Sequence, residues 1–288
     1  MPASHVLNVI AEDAGPLAHE MRGLGKAVWL LENRAFDIPV ADDPTILAAA
    51  RRIAGARAAD INLVATAHRR KRLLVADMDS TIISCECLDE LADMAGLKPQ
   101  VAAITERAMR GEIEFAPALR ERVALLKGLP LSALARVYDE RVRLNPGARA
   151  LLATMRAHGA KTLLVSGGFT FFTKRVAAAA GFDSEQANTL LDDGTKLLGA
   201  VGEPILGREA KLEALELATR SAGLDFADTL AVGDGANDLA MIKRAGLGVA
   251  YHAKPVVAEA ASARIDHGDL TALLYLQGYR QDEIASIL

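Results

Sequence analysis

From Leu73 onward the chain alternates short, continuous apolar runs with longer stretches of helical spacing. Four runs, Leu73-Leu74-Val75-Ala76, Thr162-Leu163-Leu164-Val165, Thr229-Leu230-Ala231-Val232 and Leu247-Gly248-Val249-Ala250, lack polar alternation, as strands covered on both faces do. Joined by helices, they predict a parallel sheet wound on both sides, where ligands bind beyond the carboxyl ends of the strands. The residues just after each run are therefore where chemistry is to be sought.

About eighty residues separate the first two runs, far more than one crossover helix needs. Within them residues 88–95, 99–110, 115–126 and 132–141 each carry helical spacing, punctuated by Leu129-Pro130 and Asn145-Pro146-Gly147. A small helical bundle standing over the strand ends as a lid is expected. A second insertion, residues 187–207, has Asp192-Asp193-Gly194 between apolar flanks, the turn signal of a β-hairpin.

The front of the chain alternates as well. An apolar run at 6–10, a helical pattern at 16–24, an extended segment at 27–40, a second helix at 44–53 and a third extended run at 61–65 read as a small α+β module over residues 1–70. Acids and bases balance there, and it holds no Asp-x-Asp, Cys/His cluster or Gly-rich loop. His68-Arg69-Arg70-Lys71-Arg72, between this module and the rest, reads as a solvated linker.

Composition narrows the classes. In 288 residues, 51% hydrophobic and 24% charged, there is material for a core, and disorder is excluded. With 4% aromatic residues, aliphatic side chains must do the packing. A formal charge of −4 argues against a nucleic-acid or membrane-surface partner and for a small-molecule one. No run approaches the roughly 18 apolar residues of a membrane span, and residues 1–10 lack a basic start followed by a long apolar stretch. Cys85 and Cys87 are too close in sequence for an ordinary disulfide, so a reduced, cytoplasmic setting is expected. Neither these cysteines nor His5, His19, His68, His158, His252 and His267 have zinc-ligand spacing.

The strand ends carry the candidate chemistry. The first delivers Asp77-Met78-Asp79-Ser80-Thr81; in a regular strand its two carboxylates would face opposite sides. The second ends in Ser166-Gly167-Gly168, a hydroxyl with approachable backbone N–H groups suited to an anion. The third is followed by Gly233-Asp234-Gly235-Ala236-Asn237-Asp238, acids suited to a hard, oxygen-ligated metal. Lys211 opens the helix leading into that third strand, where an ammonium can meet a phosphate.

This succession resembles the haloacid dehalogenase superfamily, whose pattern is Asp-x-Asp-x-Thr, a strand-end Ser or Thr, a Lys, then Gly-Asp-x-x-x-Asp. With Leu119-Arg120-Glu121-Arg122-Val123 and Val165-Ser166-Gly167-Gly168-Phe169 added, it is similar to the phosphoserine phosphatase branch. The resemblance runs from about Leu73 to Tyr275. It implies an α/β fold: a HAD-like Rossmannoid parallel sheet over residues 71–288, with a C1-type helical-bundle cap at about 85–145 and a β-hairpin flap. The front segment faintly resembles an ACT-like ligand-binding module but looks a strand short.

The resemblance also implies the roles. Asp77 is the nucleophile and Asp79 the general acid and base; Mg²⁺ is held by the Asp77 and Asp234 carboxylates and the Asp79 carbonyl, with Asp238 supporting from behind. Ser166, Gly167 and Lys211 take phosphoryl oxygens and Asn237 orients them. Glu86 pairs the ammonium of phosphoserine, Arg122 its carboxylate, and Met109 with Phe115 closes the apolar wall; Arg120 is the competitor for the place of Arg122. The expectation extends to L-serine as product inhibitor and to a homodimer. Two other readings compete: a phosphatase or phosphotransferase for another small phosphomonoester, and a phospho-accepting switch. The switch needs neither a general acid two residues past the nucleophile nor an inserted lid.

Overall fold

The computed structural model describes residues 3–110 and 112–286. At the front, β1 (His5–Ala11), β2 (Val28–Leu31), β3 (Ala35–Val40) and β4 (Ala59–Ala65) form an antiparallel sheet in the order β2-β3-β1-β4. The helices α1 (Gly15–Glu20) and α2 (Pro44–Ala54) pack on one face, where Leu17, Ala50 and Ala54 meet Leu7, Val9, Phe36 and Ile38. The segment at 27–40 is thus two strands and not one. The chain reverses at Asn33, which takes φ +58°, a left-handed conformation that asparagine tolerates, and Arg34 N–H closes the turn on Leu31 O at 3.0 Å. The module therefore has four strands and is not a strand short. The helical pattern at 16–24 also divides, α1 giving way to a 3₁₀ turn at Met21–Gly23.

The opposite face of this sheet is not solvated. Val6, Ile10, Leu30 and Val64 belong to the same apolar cluster as Leu273, Tyr275, Leu276 and Tyr279 near the end of the chain. Both sides of β1 are consequently buried. Polar contacts fix the register of this contact. Asp60, 2% exposed, accepts the backbone N–H groups of Asp266, His267 and Gly268 at 2.6, 3.1 and 2.7 Å. The Asn62 amide bonds both the N–H and the C=O of Arg264 at 2.8 and 3.0 Å, completing a strand edge as a neighbouring strand would.

The basic run at 68–72 departs from a solvated linker. Arg69 makes a bidentate pair with buried Asp37 at 2.6 and 2.8 Å and reaches the carbonyls of Tyr275 and Leu276. Arg70 lies over the Tyr279 ring and pairs with Glu283. Buried Lys71 donates to Ala227 O at 2.7 Å, and its pKa is pushed down to about 8 by burial. Arg69, Arg70 and Lys71 each have a partner that lies far away in sequence, which is why charge density alone misreads the run.

The larger sheet is built from β5 (Leu73–Ala76), β6 (Lys161–Phe169) and β7 (Ser184–Asn188), then, after the antiparallel hairpin β8 (Leu190–Asp192) and β9 (Leu197–Val201), from β10 (Thr229–Gly233), β11 (Leu247–Tyr251) and β12 (Ala263–Ile265). Its six strands are parallel in the order β12-β11-β10-β5-β6-β7. The four apolar runs are its four central strands. The edges β7 and β12 escape the pattern because one is polar, Ser-Glu-Gln-Ala-Asn, and the other is three residues long. Along β5, Leu74 and Ala76 point into one apolar cluster and Leu73 and Val75 into another, so helices cover both faces.

The cap consists of α3 (Cys87–Met94), α4 (Lys98–Met109), α5 (Phe115–Ala124) and α6 (Leu131–Arg141). The chain then continues through α7 (Ala148–Ala157), α8 (Thr170–Ala180), α9 (Arg208–Ser221), α10 (Leu239–Arg244), α11 (Pro255–Ala260) and α12 (Ala272–Leu276). The β8–β9 hairpin turns at Gly194, φ +88°, and holds onto the cap through Gly128 N–H to Leu197 O at 2.8 Å and an Arg120–Glu203 ion pair at 2.6 Å. Among the described residues no helix is long and apolar enough to cross a membrane.

Candidate active site

Beyond β5 the chain leaves the extended conformation at once. Residues Met78–Ile82 form an irregular turn with Ser80 at φ +56°, so Asp77 and Asp79 line the same cleft and do not face opposite ways. The cleft has a volume of about 300 Å³, within reach of small-ligand sites. Its floor is the end of the large sheet and its roof the cap.

Asp77 is 5% exposed. Its Oδ1 accepts Met78 N–H at 2.8 Å and the Lys211 ammonium at 2.7 Å, which leaves Oδ2 as the oxygen without a donor. Lys211, 2% exposed, also meets Asp238 Oδ1 at 2.6 Å. Burial works against its charge, yet Asp77 and Asp238 more than offset this and raise its pKa. Asp238 Oδ2 accepts Gly235 N–H at 3.0 Å, so both its oxygens are engaged. A Cβ on Gly233 would lie 2.3 Å from the Asp238 carboxyl, which explains the glycine of that motif.

Asp79 is held at both oxygens. Cys87 N–H donates to Oδ1 at 2.9 Å and the Ser166 hydroxyl to Oδ2 at 3.1 Å, while Ser166 Oγ accepts Gly168 N–H at 2.8 Å. A side chain at Gly168 would crowd both Ser166 Oγ and Asp79 Oδ2. Burial, then the charge of Glu86, pushes the Asp79 pKa up to about 6, a value suited to proton transfer near neutrality. Cys87 serves here through its backbone; both cysteines are free thiols.

Asp77, Asp234 and Asp238 each offer an oxygen within 4.8 Å of the others. Burial and the neighbouring Asp238 raise the pKa of Asp77 well above the carboxylate range and that of Asp234 to about 6. Acids gathered this closely with one buried lysine for compensation have the donor set and the charge excess that a hard divalent cation matches.

Across the cleft stand the cap residues. Glu86 accepts the Ser80 hydroxyl at 2.7 Å. Arg122 is half-buried, and its neighbours are Ala118 O at 3.3 Å and Thr105 Oγ1 at 3.5 Å; burial lowers its pKa, with Asp89 and Glu86 opposing. Arg120, by contrast, is spent on Glu203 at the flap and does not line the cleft. Phe115 and Gly167 line the cleft together, and a Cβ added at Gly167 would lie 3.4 Å from the Phe115 ring. Asn237 is exposed on the rim. Met109 ends α4, and its side chain lies outside the described residues.

The structure thus gathers Asp77, Asp79, Glu86, Phe115, Arg122, Ser166, Gly167, Asp234 and Asn237 on one surface, and sets Lys211 and Asp238 behind it. It adds Asp89, Thr105 and Lys254, which sequence reasoning passed over. Asp89 and Thr105 sit at ordinary cap-helix positions with no local signal. Lys254 is marked only by the proline that follows it.

A family profile described as haloacid dehalogenase-like hydrolase matches residues 74–243. A phosphoserine phosphatase of Polaromonas sp. is 49% identical over 210 residues, 71% of this chain and 89% of its own. Among solved structures, a HAD-family hydrolase of Salmonella enterica serovar Typhi superimposes with a TM-score of 0.85 at 29% identity, over 94% of this chain and 98% of its own. A probable phosphoserine phosphatase of Vibrio cholerae gives a TM-score of 0.78 at 30% identity, over 97% of this chain and 88% of its own.

Proposed function

The chain belongs to the haloacid dehalogenase-like hydrolases, and on that premise we propose that it hydrolyses O-phospho-L-serine to L-serine and phosphate through an aspartyl-phosphate on Asp77. The observation that carries the substrate is the cap: Arg122, half-buried and without a carboxylate hydrogen bond among the described residues, shares one cleft with Glu86. A cation and an acid set away from the Asp77–Asp234 floor match the carboxylate and ammonium of an amino acid whose phosphate lies on that floor. The Polaromonas relative, a phosphoserine phosphatase, supports the same reading.

A phosphomonoester dianion repels an attacking carboxylate. The Asp77 and Asp234 carboxylates and the Asp79 carbonyl would hold Mg²⁺, which would supply the neutralisation. Lys211 and Met78 N–H fix Asp77 by Oδ1, so that Oδ2 attacks phosphorus in line. Asp79, protonated near its pKa of about 6, gives its proton to the departing serine oxygen. It then accepts one from the water that cleaves the acyl phosphate. The Ser166 hydroxyl and the Gly167 N–H receive phosphoryl oxygens as charge shifts, and Asn237 orients them from the rim. Asp238, with both oxygens engaged, positions Lys211. Phe115 and Met109 close the apolar wall, and L-serine, keeping both clamp contacts, competes as product.

The βαββαβ connectivity of the front sheet supports an ACT-like module over residues 1–70 and a phosphatase unit over 71–288. The test of function is phosphate release from a panel of phosphoserine, phosphothreonine, sugar phosphates and p-nitrophenyl phosphate, with Mg²⁺ and with EDTA. The proposal expects phosphoserine to be turned over with the highest kcat/KM, activity lost in EDTA and restored by Mg²⁺. A sugar phosphate preferred over phosphoserine, or full activity in EDTA, overturns it.

A further inference from the structure

The walls of the cleft carry five acids, Asp77, Asp79, Glu86, Asp89 and Asp234, against two cations, Arg122 and Lys254. Lys211 is not on that surface: it lies behind Asp77 and is shared with Asp238. Arg122 belongs to the cap. Lys254 is therefore the cation that the sheet side of the cleft presents to an entering molecule.

Its backbone is fixed from three directions. Lys254 N–H donates to Asp234 O at 3.1 Å, which places the residue beside the acidic floor. Pro255 keeps Lys254 extended, at φ −60° and ψ 148°. His252 turns the chain out of β11 at φ +44°, and its Nε2 lies 2.9 Å from Gly268 O, in the segment that Asp60 holds. The side chain, in contrast, is exposed. Its charge acts on the Asp234 carboxyl through space, without a hydrogen bond between them. An anchored backbone that carries a free ammonium at the rim of an acidic cleft is a binding group for an anion.

We propose that Lys254 is a further substrate-binding residue, its ammonium taking a phosphoryl oxygen of the entering ester and of the departing phosphate. The inference rests on phosphomonoester hydrolysis at this site and is independent of which ester is preferred. Because the contact is with phosphate, it differs in kind from the Arg122 contact, which is with the amino-acid end.

The test compares the full chain with its Lys254→Met and Lys254→Arg variants in Mg²⁺. In Lys254→Met, KM for phosphoserine, KM for p-nitrophenyl phosphate and Ki for inorganic phosphate each rise roughly fivefold or more, with kcat within about threefold; Lys254→Arg restores all three to within about twofold. A merely structural role would lower kcat and melting temperature together and leave the phosphate Ki unmoved. An unchanged phosphate Ki, or a KM rise confined to phosphoserine, overturns the proposal. Should the wild-type chain hydrolyse p-nitrophenyl phosphate but not phosphoserine, the substrate reading fails while phosphate inhibition still tests Lys254.

Discussion

Asp77 shows how much of the chemistry is settled by single side chains. With Oδ1 tied to Lys211 and Met78 N–H, the substitution Asp77→Asn keeps the shape but removes the proposed nucleophile. Turnover should fall by about a thousandfold or more, with no phosphorylated protein seen by mass spectrometry; appreciable turnover would remove the covalent step. Asp234 gives a pH prediction. Its folded pKa is raised to about 6 from 3.8, so its contribution to the metal-free protein is most favourable below pH 3.8 and is lost as pH rises through about 6. Metal-free Asp234→Asn should therefore melt above wild type at pH 7, by about 1–2 kcal/mol after allowing for its contact with water, and the gap should close towards pH 4. A gap independent of pH would contradict this. The acids were legible because they follow apolar runs. Thr105 and Asp89 were not, since nothing in a cap helix marks which positions overlook a cleft until the cap is folded.

Among the elements, the buried strands and cap helices were legible because their periodicity records their burial. The turn at Asn33 was not: one polar residue at φ +58° divides a continuous extended pattern into two strands. The basic run at 68–72 was misread for a related reason, as its partners Asp37, Tyr275, Leu276 and Glu283 are brought to it only by tertiary packing. The Asp60 contact carries the clearest consequence. Asp60→Ala leaves three part-buried backbone N–H groups without their acceptor, which should cost about 2–4 kcal/mol and lower the melting temperature by roughly 5–15 °C. A melting temperature within about 2 °C of wild type would show that water replaces the carboxylate.

For the whole molecule, the apolar cluster that joins Val6, Ile10 and Val64 to Tyr275 and Leu276 makes the front sheet part of one core. A chain beginning at Leu73 would expose that face and should self-associate by size-exclusion chromatography; a monomer with unaltered melting temperature would show the two parts to be independent. Front-sheet effects on catalysis are therefore better measured with point variants of the full chain. The central claim, a cleft that joins a phosphoryl-transfer floor to an amino-acid clamp, is tested most directly by steady-state kinetics of wild type and Arg122→Ala on phosphoserine and on p-nitrophenyl phosphate in Mg²⁺. The account predicts that kcat/KM for phosphoserine falls about a hundredfold or more while that for p-nitrophenyl phosphate changes less than about threefold. Equal losses on the two substrates would contradict it.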